Sequence, residues 1–257
     1  MDDSMKDLDF KDHFSKGSEN YATYRPSYPL ELVTELADLC PAQNRVLDCG
    51  CGTGQLSVLL AERFTEVIAT DASSAQIAKA KQKDNVIYKT ALAEQSGLAD
   101  ESVDLITVAQ AAHWLDLNKF YKEVERVARP NAVLALITYG VLQVEGTVDT
   151  LVQDFYYQTI APYWPAERRH VEDGYQSLPF PFTEIKVPAI TMQEFWSLDE
   201  LMGYFNTWSA VKEAKKVLGF NPVDQLRAIL LPEWGNSESK KKIVWPLSIR
   251  AGRVEGQ

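Results

Sequence analysis

The sequence predicts an α/β protein: a mostly parallel sheet with helices on both faces and an inserted lid. Three observations lead there. Short, nearly continuous apolar runs (RVLDC at 45–49, VDLITVA at 103–109, AVLALITYG at 132–140) have the character of strands buried on both sides. Segments with helical spacing alternate with them, as crossover connections require. The first run also opens directly onto three glycines at every second position, Gly50, Gly52 and Gly54, before a leucine-rich stretch.

In chain order, SYPLELVTELADLC (27–40) begins with Ser27 and Pro29 as start signals and carries Leu32, Leu36 and Leu39 at helical spacing. RVLDC is the first strand and QLSVLLAERF the helix after the glycines. EVIAT is a strand, SAQIAKAKQK a helix, NVIYKT a strand and VDLITVA a fourth strand. LNKFYKEVERVARP is an amphipathic helix that Pro130 ends, and AVLALITYG is a buried fifth strand. After Gly140 the character changes. Aromatics and prolines crowd into DFYYQTIAPYWPAERRHVEDGYQSLPFPF (154–182). TEIKVPAITMQEFW is then extended, SLDELMGYFNTWSAVKEAKKVLG and NPVDQLRAILLPEWG are helical, and KKIVWPLSIRAGR is a last strand. The expected organisation is an N-terminal cap segment with the ligand-binding core over 1–141 and an inserted lid, or substrate region, over 142–181. The stretch 182–257 completes the same sheet with interposed helices. The aromatic-rich region reads equally as a second core, and the two readings are compatible.

With 257 residues, 46% hydrophobic and 24% charged, the chain suits one large globular domain. Its longest apolar run falls short of the roughly 20 residues a bilayer demands. The acidic start MDDSMKDLDFKDHF lacks a secretion signal, so a cytoplasmic location is expected, with no membrane partner. A net charge of −10 argues against nucleic acid, whose binders present basic surfaces. Three cysteines and three histidines are too few for a disulfide framework or a metal site, and none is expected. The oligomeric state has no signature in the sequence.

In a doubly wound sheet the ligand lies beyond the carboxyl ends of the strands. Glycines there let the backbone turn sharply and let a ligand approach without Cβ clashes, with free N–H groups of the next helix facing the same space. Dinucleotides and S-adenosylmethionine both use such loops. The dinucleotide pattern needs a third glycine where this chain has Gln55, and it would put the carboxylate of Asp48 beside a pyrophosphate. Beside an ammonium or sulfonium group that carboxylate is favourable. Asp71 ends the second strand, where an acidic side chain takes ribose hydroxyls in either ligand class. It could instead cap the following helix, a task open to Ser73.

VLDCGCGTG, then ATDAS, then ALAEQSGLADESVDLITVAQAAHW resemble the successive motifs of class I S-adenosylmethionine-dependent methyltransferases. YRPSYP, AAHWLD and NTWSAV are similar to the trans-aconitate methyltransferase-like branch (type 11 methyltransferase domain), which acts, where known, on small molecules, some of them carboxylic acids. The resemblance implies a seven-stranded Rossmann-like sheet and S-adenosylmethionine as cofactor. It implies that Asp48, Gly50, Cys51 and Gly52 cradle the methionine half, that Asp71 holds the ribose, and that Ala72, Ala93 and Glu94 border the adenine. Leu92 stands where the family often has an aspartate. The Gln110 backbone carbonyl would face the cofactor's amino group and the Arg25 fork its carboxylate, while Tyr21 would close the site over the methyl group.

On the acceptor side the resemblance points to His113, Trp114, Trp164, Trp208 and Ser209, with Tyr163 as a further aromatic wall. A small-molecule carboxylate acceptor is already ionised and needs no general base. A hydroxyl or amine would need one, and His113 is the candidate, unless it is a hydrogen-bonded structural histidine. Arg168 and Arg169 could receive a carboxylate, although adjacent arginines do not both face one pocket in regular structure. The alternatives are a nicotinamide-dependent oxidoreductase on the same kind of sheet, and a non-catalytic S-adenosylmethionine-binding protein.

Overall fold

The computed structural model describes residues 24–255. Its elements run α1 (Leu30–Leu39), β1 (Arg45–Cys49), α2 (Ser57–Leu60), β2 (Glu66–Asp71), α3 (Ser74–Ile77), β3 (Val86–Thr90), β4 (Val103–Ala109), α4 (Leu117–Val127), β5 (Ala128–Tyr139), β6 (Gln143–Val144), α5 (Val148–Asp154), α6 (Arg168–Glu172), β7 (Thr183–Ile185), β8 (Thr191–Trp196), α7 (Leu198–Asn206), α8 (Ser209–Leu218), α9 (Pro222–Trp234) and β9 (Lys241–Val254). Among the described residues no helix is long and apolar enough to cross a membrane.

The strands β3-β2-β1-β4-β5 pair in parallel, and β9 then lies antiparallel to β5. The C-terminal half of β9 pairs with β5 over Ala132–Tyr139 and carries β7 on its other edge. β3-β2-β1-β4-β5-β9-β7 is therefore the main sheet. The N-terminal half of β9 leaves it to pair with β8 and β6 in a small antiparallel layer. Pro246, with no N–H to give a ladder, stands where the strand passes from one layer to the other, and its carbonyl takes the Gly140 N–H at 3.0 Å. The chain leaves β1 toward β2 on one side and returns to β4 on the other. The crevice of this switch point opens at the carboxyl ends of β1 and β4, above the glycine loop.

Two helices are shorter than their sequence periodicity suggests. α2 and α3 are four-residue turns. Lys79 and Lys83, four apart, would repel along a longer α3. Lys83 instead reaches back to the Val58 carbonyl (3.1 Å) and to the Glu62 carboxylate, tying the loop to α2. At the other end Ser73 caps α3, its Oγ accepting the Gln76 N–H.

Apolar side chains form two clusters, one on each face. One runs from Leu32, Leu36 and Val46 through Ile137 into Leu142, Val152, Phe155, Tyr156, Phe205, Trp208 and Trp245. The other joins Leu47, Ile68, Ile106 and Leu134 to Phe120 and Val124 of α4, and reaches Val171 and Tyr175. The segment 142–181 thus contributes to both clusters and extends the core.

Candidate active site

β1 delivers Asp48, 1% exposed, to the base of the glycine loop. Ser57 Oγ donates to one carboxylate oxygen at 2.6 Å and Thr107 Oγ1, from β4, to the other at 2.8 Å. Burial pushes its pKa up to about 6, against the pull of those two hydroxyls, and the nearby Asp71 charge adds to the rise. A buried carboxylate held this way is a reservoir of negative charge under the loop. It favours a cation above it even without touching one.

The loop folds back over Asp48 with Gly50, Gly52 and Gly54 all at positive φ. A side chain at Gly54 would strike the Tyr88 hydroxyl, 2.1 Å from its Cβ position, whereas at Gly52 (φ +55°) nothing lies within 4 Å. Gly52 therefore borders open space, the cradle that a cofactor's amino-acid tail needs. Asp71, at the end of β2, accepts the Gly52 N–H at 2.9 Å and the Ser73 N–H at 2.8 Å, one on each oxygen. Ser73 rather than Asp71 caps α3, and a carboxylate is the acceptor type that a ribose diol pairs with. The residues present thus fit S-adenosylmethionine.

Of the other cofactor-side candidates, Cys51 is half-buried in the loop, its N–H bonded to the Thr70 carbonyl at 2.9 Å. Ala72 borders the same turn, and Ala93 is buried in the second apolar cluster. Glu94 is half-buried and its carboxylate accepts the Asp116 N–H at 2.9 Å at the start of α4. Gln110 follows β4 at φ +58°, its side chain held between the Tyr139 carbonyl and Thr138 Oγ1, both at 3.2 Å. Tyr24 packs on Gly203 of α7, and Arg25 donates to the Tyr139 hydroxyl at 3.0 Å while lying over the Tyr204 ring. Tyr21 lies outside the described residues.

Of the acceptor-side candidates, His113 and Trp114 follow the carboxyl end of β4, and Trp164 and Trp208 pack against each other. His113 and Trp114 sit in a short 3-10 turn, rings 4.7 Å apart. His113 Nδ1 is 2.9 Å from the Tyr175 hydroxyl. Burial, followed by the Arg168 and His170 charges, lowers its pKa to about 3. The imidazole is therefore neutral and weakly basic, which suits hydrogen bonding better than the general-base role expected of it. Trp164, Trp208 and Tyr156 form one aromatic wall, with ring centroids 5.4–5.6 Å apart. Ser209 stands exposed at the start of α8, while its neighbour Trp208 is buried in the wall. The arginine pair divides as successive helical positions must. Arg168 is half-buried over Trp164, 4.6 Å from the ring centroid, and Arg169 is exposed.

The residues the sequence did not point to are partners of those it did. Ser57 and Thr107 hold Asp48, Tyr175 holds His113, and Tyr156 with Glu172 holds Arg168. Tyr175 adopts φ +66° directly after Gly174, also left-handed. The DG pair signals a turn, but nothing in the sequence says that the next residue follows it.

A family model described as a methyltransferase domain matches residues 47–136, from β1 through the middle of β5. A Dictyostelium discoideum protein described as a methyltransferase is 33% identical over 239 residues, covering 91% of each chain. A Saccharomyces cerevisiae protein described as an S-adenosylmethionine-dependent methyltransferase is 34% identical over 131 residues, covering 48% of this chain and 45% of its own. Among solved structures, one described as a type II methyltransferase from Anaeromyxobacter dehalogenans superposes with a TM-score of 0.87. It is 44% identical and covers 91% of this chain and 100% of its own.

Proposed function

The chain belongs to the class I S-adenosylmethionine-dependent methyltransferases, and from that premise we propose that it binds S-adenosylmethionine over its glycine loop and methylates a small-molecule carboxylic acid. The cofactor supplies an electrophilic methyl: the acceptor's lone pair forms the new bond to carbon as the carbon–sulfur bond breaks, and that bonding pair stays on sulfur. A carboxylate is converted to a methyl ester with no proton to remove, so the chain need provide no base.

Its own residues would then bind and orient. Asp48 supplies fixed negative charge under the cofactor's ammonium, Gly52 leaves room for the tail, and Asp71 receives the ribose hydroxyls. The aromatic wall of Tyr156, Trp164 and Trp208 excludes water and offers ring faces that tolerate positive charge. Orientation alone can supply a large part of the rate of such a displacement. Neutral His113, held by Tyr175, would donate or accept a positioning hydrogen bond at the mouth.

The observation that carries the carboxylate is Arg168. Its guanidinium lies over the Trp164 ring, 4.6 Å from the centroid, and its charge adds to the burial that depresses the His113 pKa. The indole Nε1 of Trp164 is itself buried with no hydrogen-bond partner. A cation on an aromatic face and, on that same tryptophan, a buried donor without a partner suit an acceptor that brings an anion, since an unmatched buried donor costs free energy. The experiment is a methyl-transfer screen with labelled S-adenosylmethionine against short aliphatic and aryl carboxylic acids, their primary amides, phenols and amines. Turnover of acids over amides is expected. Turnover confined to phenols or amines would overturn the carboxylate, and tight cofactor binding without any turnover would favour a non-catalytic role.

A further inference from the structure

We infer that Glu172 and Tyr156 are positioning residues that set the specificity of the acceptor pocket by fixing the Arg168 guanidinium over Trp164, an inference that rests on the anionic-acceptor reading above. Three observations carry it. Arg168 Nε donates to the Tyr156 hydroxyl at 2.7 Å, and that hydroxyl donates onward to Glu172 Oε1 at 2.6 Å. The hydroxyl is thus consumed in both directions, and the charge of Glu172 reaches Arg168 through it as a cooperative chain. Tyr156 is 1% exposed and its ring packs against Trp164 and Trp208, so it cannot swing to follow a mobile arginine. Its direction comes from the backbone. The helix α5 widens at its end into a π turn over Phe155–Thr159, closed by Ile160 N–H to the Phe155 carbonyl at 3.0 Å. Such turns cost helical regularity and recur where a side chain must be re-aimed.

The relay holds only one edge of the guanidinium. With Nε committed to Tyr156, the two Nη groups form the fork that matches a planar carboxylate in a bidentate pair. Without the relay, Arg168 would keep its charge and its stacking but lose its fixed direction. The device thus discriminates geometry rather than charge. A planar carboxylate at the right distance gains both Nη bonds, whereas an acid whose carboxylate reaches only one Nη gains half as much. Glu172 itself is exposed and accepts from the Tyr156 hydroxyl, which makes its contribution separable from packing.

The test uses the full chain and steady-state methyl transfer to the best carboxylic acid from the screen, comparing wild type with Tyr156→Phe, Glu172→Ala, Glu172→Gln, Arg168→Lys and the double variant Tyr156→Phe/Glu172→Ala. Tyr156→Phe should raise the acceptor KM about tenfold, one charge-assisted bond's worth, with the KM for S-adenosylmethionine unchanged. Glu172→Ala should raise it severalfold, and Glu172→Gln, which still accepts the hydroxyl, should restore most of that. The double variant should be no worse than Tyr156→Phe alone, because Glu172 acts only through that hydroxyl. In parallel, the Arg168 Nε–H resonance of the 15N-labelled protein, assigned by its absence in Arg168→Lys, should lose its protection from exchange in Tyr156→Phe. Additive effects in the double variant, an unchanged acceptor KM, or an Nε–H signal indifferent to Tyr156→Phe would each overturn the relay. If wild type methylates only neutral acceptors, the anionic-acceptor reading fails instead, and the Nε–H signal still reports whether the relay exists.

Discussion

Replacing Gly52 by alanine separates a conformational cost from a binding cost. Gly52 sits at φ +55°, where an L side chain is disfavoured by about 1–2 kcal/mol. The added Cβ meets no protein atom within 4 Å, so nothing else in the fold need move. The whole stability penalty is then that backbone term. For a chain of this size it corresponds to a fall in Tm of roughly 2–8 °C. Cofactor binding should suffer separately, because the new methyl projects into the space assigned to the cofactor's tail. Overpacking of that kind costs about 1–3 kcal/mol, or roughly 5- to 150-fold in Kd. Gly219→Ala supplies the control: φ is +78°, nothing lies within 4 Å of its Cβ, and it ends α8 away from the loop. It should lose similar stability and no affinity. Calorimetric titration with S-adenosylhomocysteine, alongside thermal melting, reads both quantities. A Gly52→Ala protein that melts lower yet binds like wild type would refute the assignment of that space to the cofactor.

Asp71→Ala removes the acceptor of the Gly52 and Ser73 N–H groups and, in the proposed binding mode, of the ribose hydroxyls; cofactor Kd should rise about 100-fold in calorimetry, two charge-assisted bonds' worth. Asp48, raised by burial to about 6 from an ordinary 3.8, makes the native state bind more protons than the unfolded state between about pH 4 and 6. Its contribution to stability therefore falls, by roughly 3 kcal/mol, as pH rises through that window. His113, held neutral down to about 3, works in the opposite sense: its contribution is lost as pH falls below about 6.5. Melting curves against pH should thus diverge, Asp48→Asn becoming more acid-sensitive than wild type and His113→Asn less. S-adenosylhomocysteine affinity should also weaken in wild type below pH 6 and lose that dependence in Asp48→Asn. With a carboxylic acid acceptor, His113→Gln should keep kcat within a few fold and the kcat profile should stay flat from pH 6.5 to 9; a profile that collapses with the variant would restore His113 as a base.

What the sequence conveyed best was periodicity and the chemistry of special backbone positions. The five parallel strands were legible because each is an apolar run between turn residues, and the loop because glycine takes its three positive φ values at no steric cost. The lengths of α2 and α3 were not, because the tie from Lys83 to Val58 and Glu62 is tertiary. The split of β9 between two layers was hidden as well. Pro246 marks it, but a proline near a strand reads in isolation as an edge or an end. In the site, residues whose type announces a task stood out, Asp48, Asp71 and the tryptophans among them. Their supports did not, since Ser57, Thr107, Tyr156 and Tyr175 acquire meaning only from distant partners. Arg168 and Arg169 show the limit plainly. Alternation says that one faces inward, and only the packing of α6 on Trp164 says which.

The most direct test of the central claim is a crystal structure of the protein with S-adenosylhomocysteine. The expected result has the homocysteine tail over Gly52 with its ammonium above Asp48, and both ribose hydroxyls on the Asp71 carboxylate. A ligand bound elsewhere, leaving the loop untouched and Asp71 without a ribose contact, would contradict it.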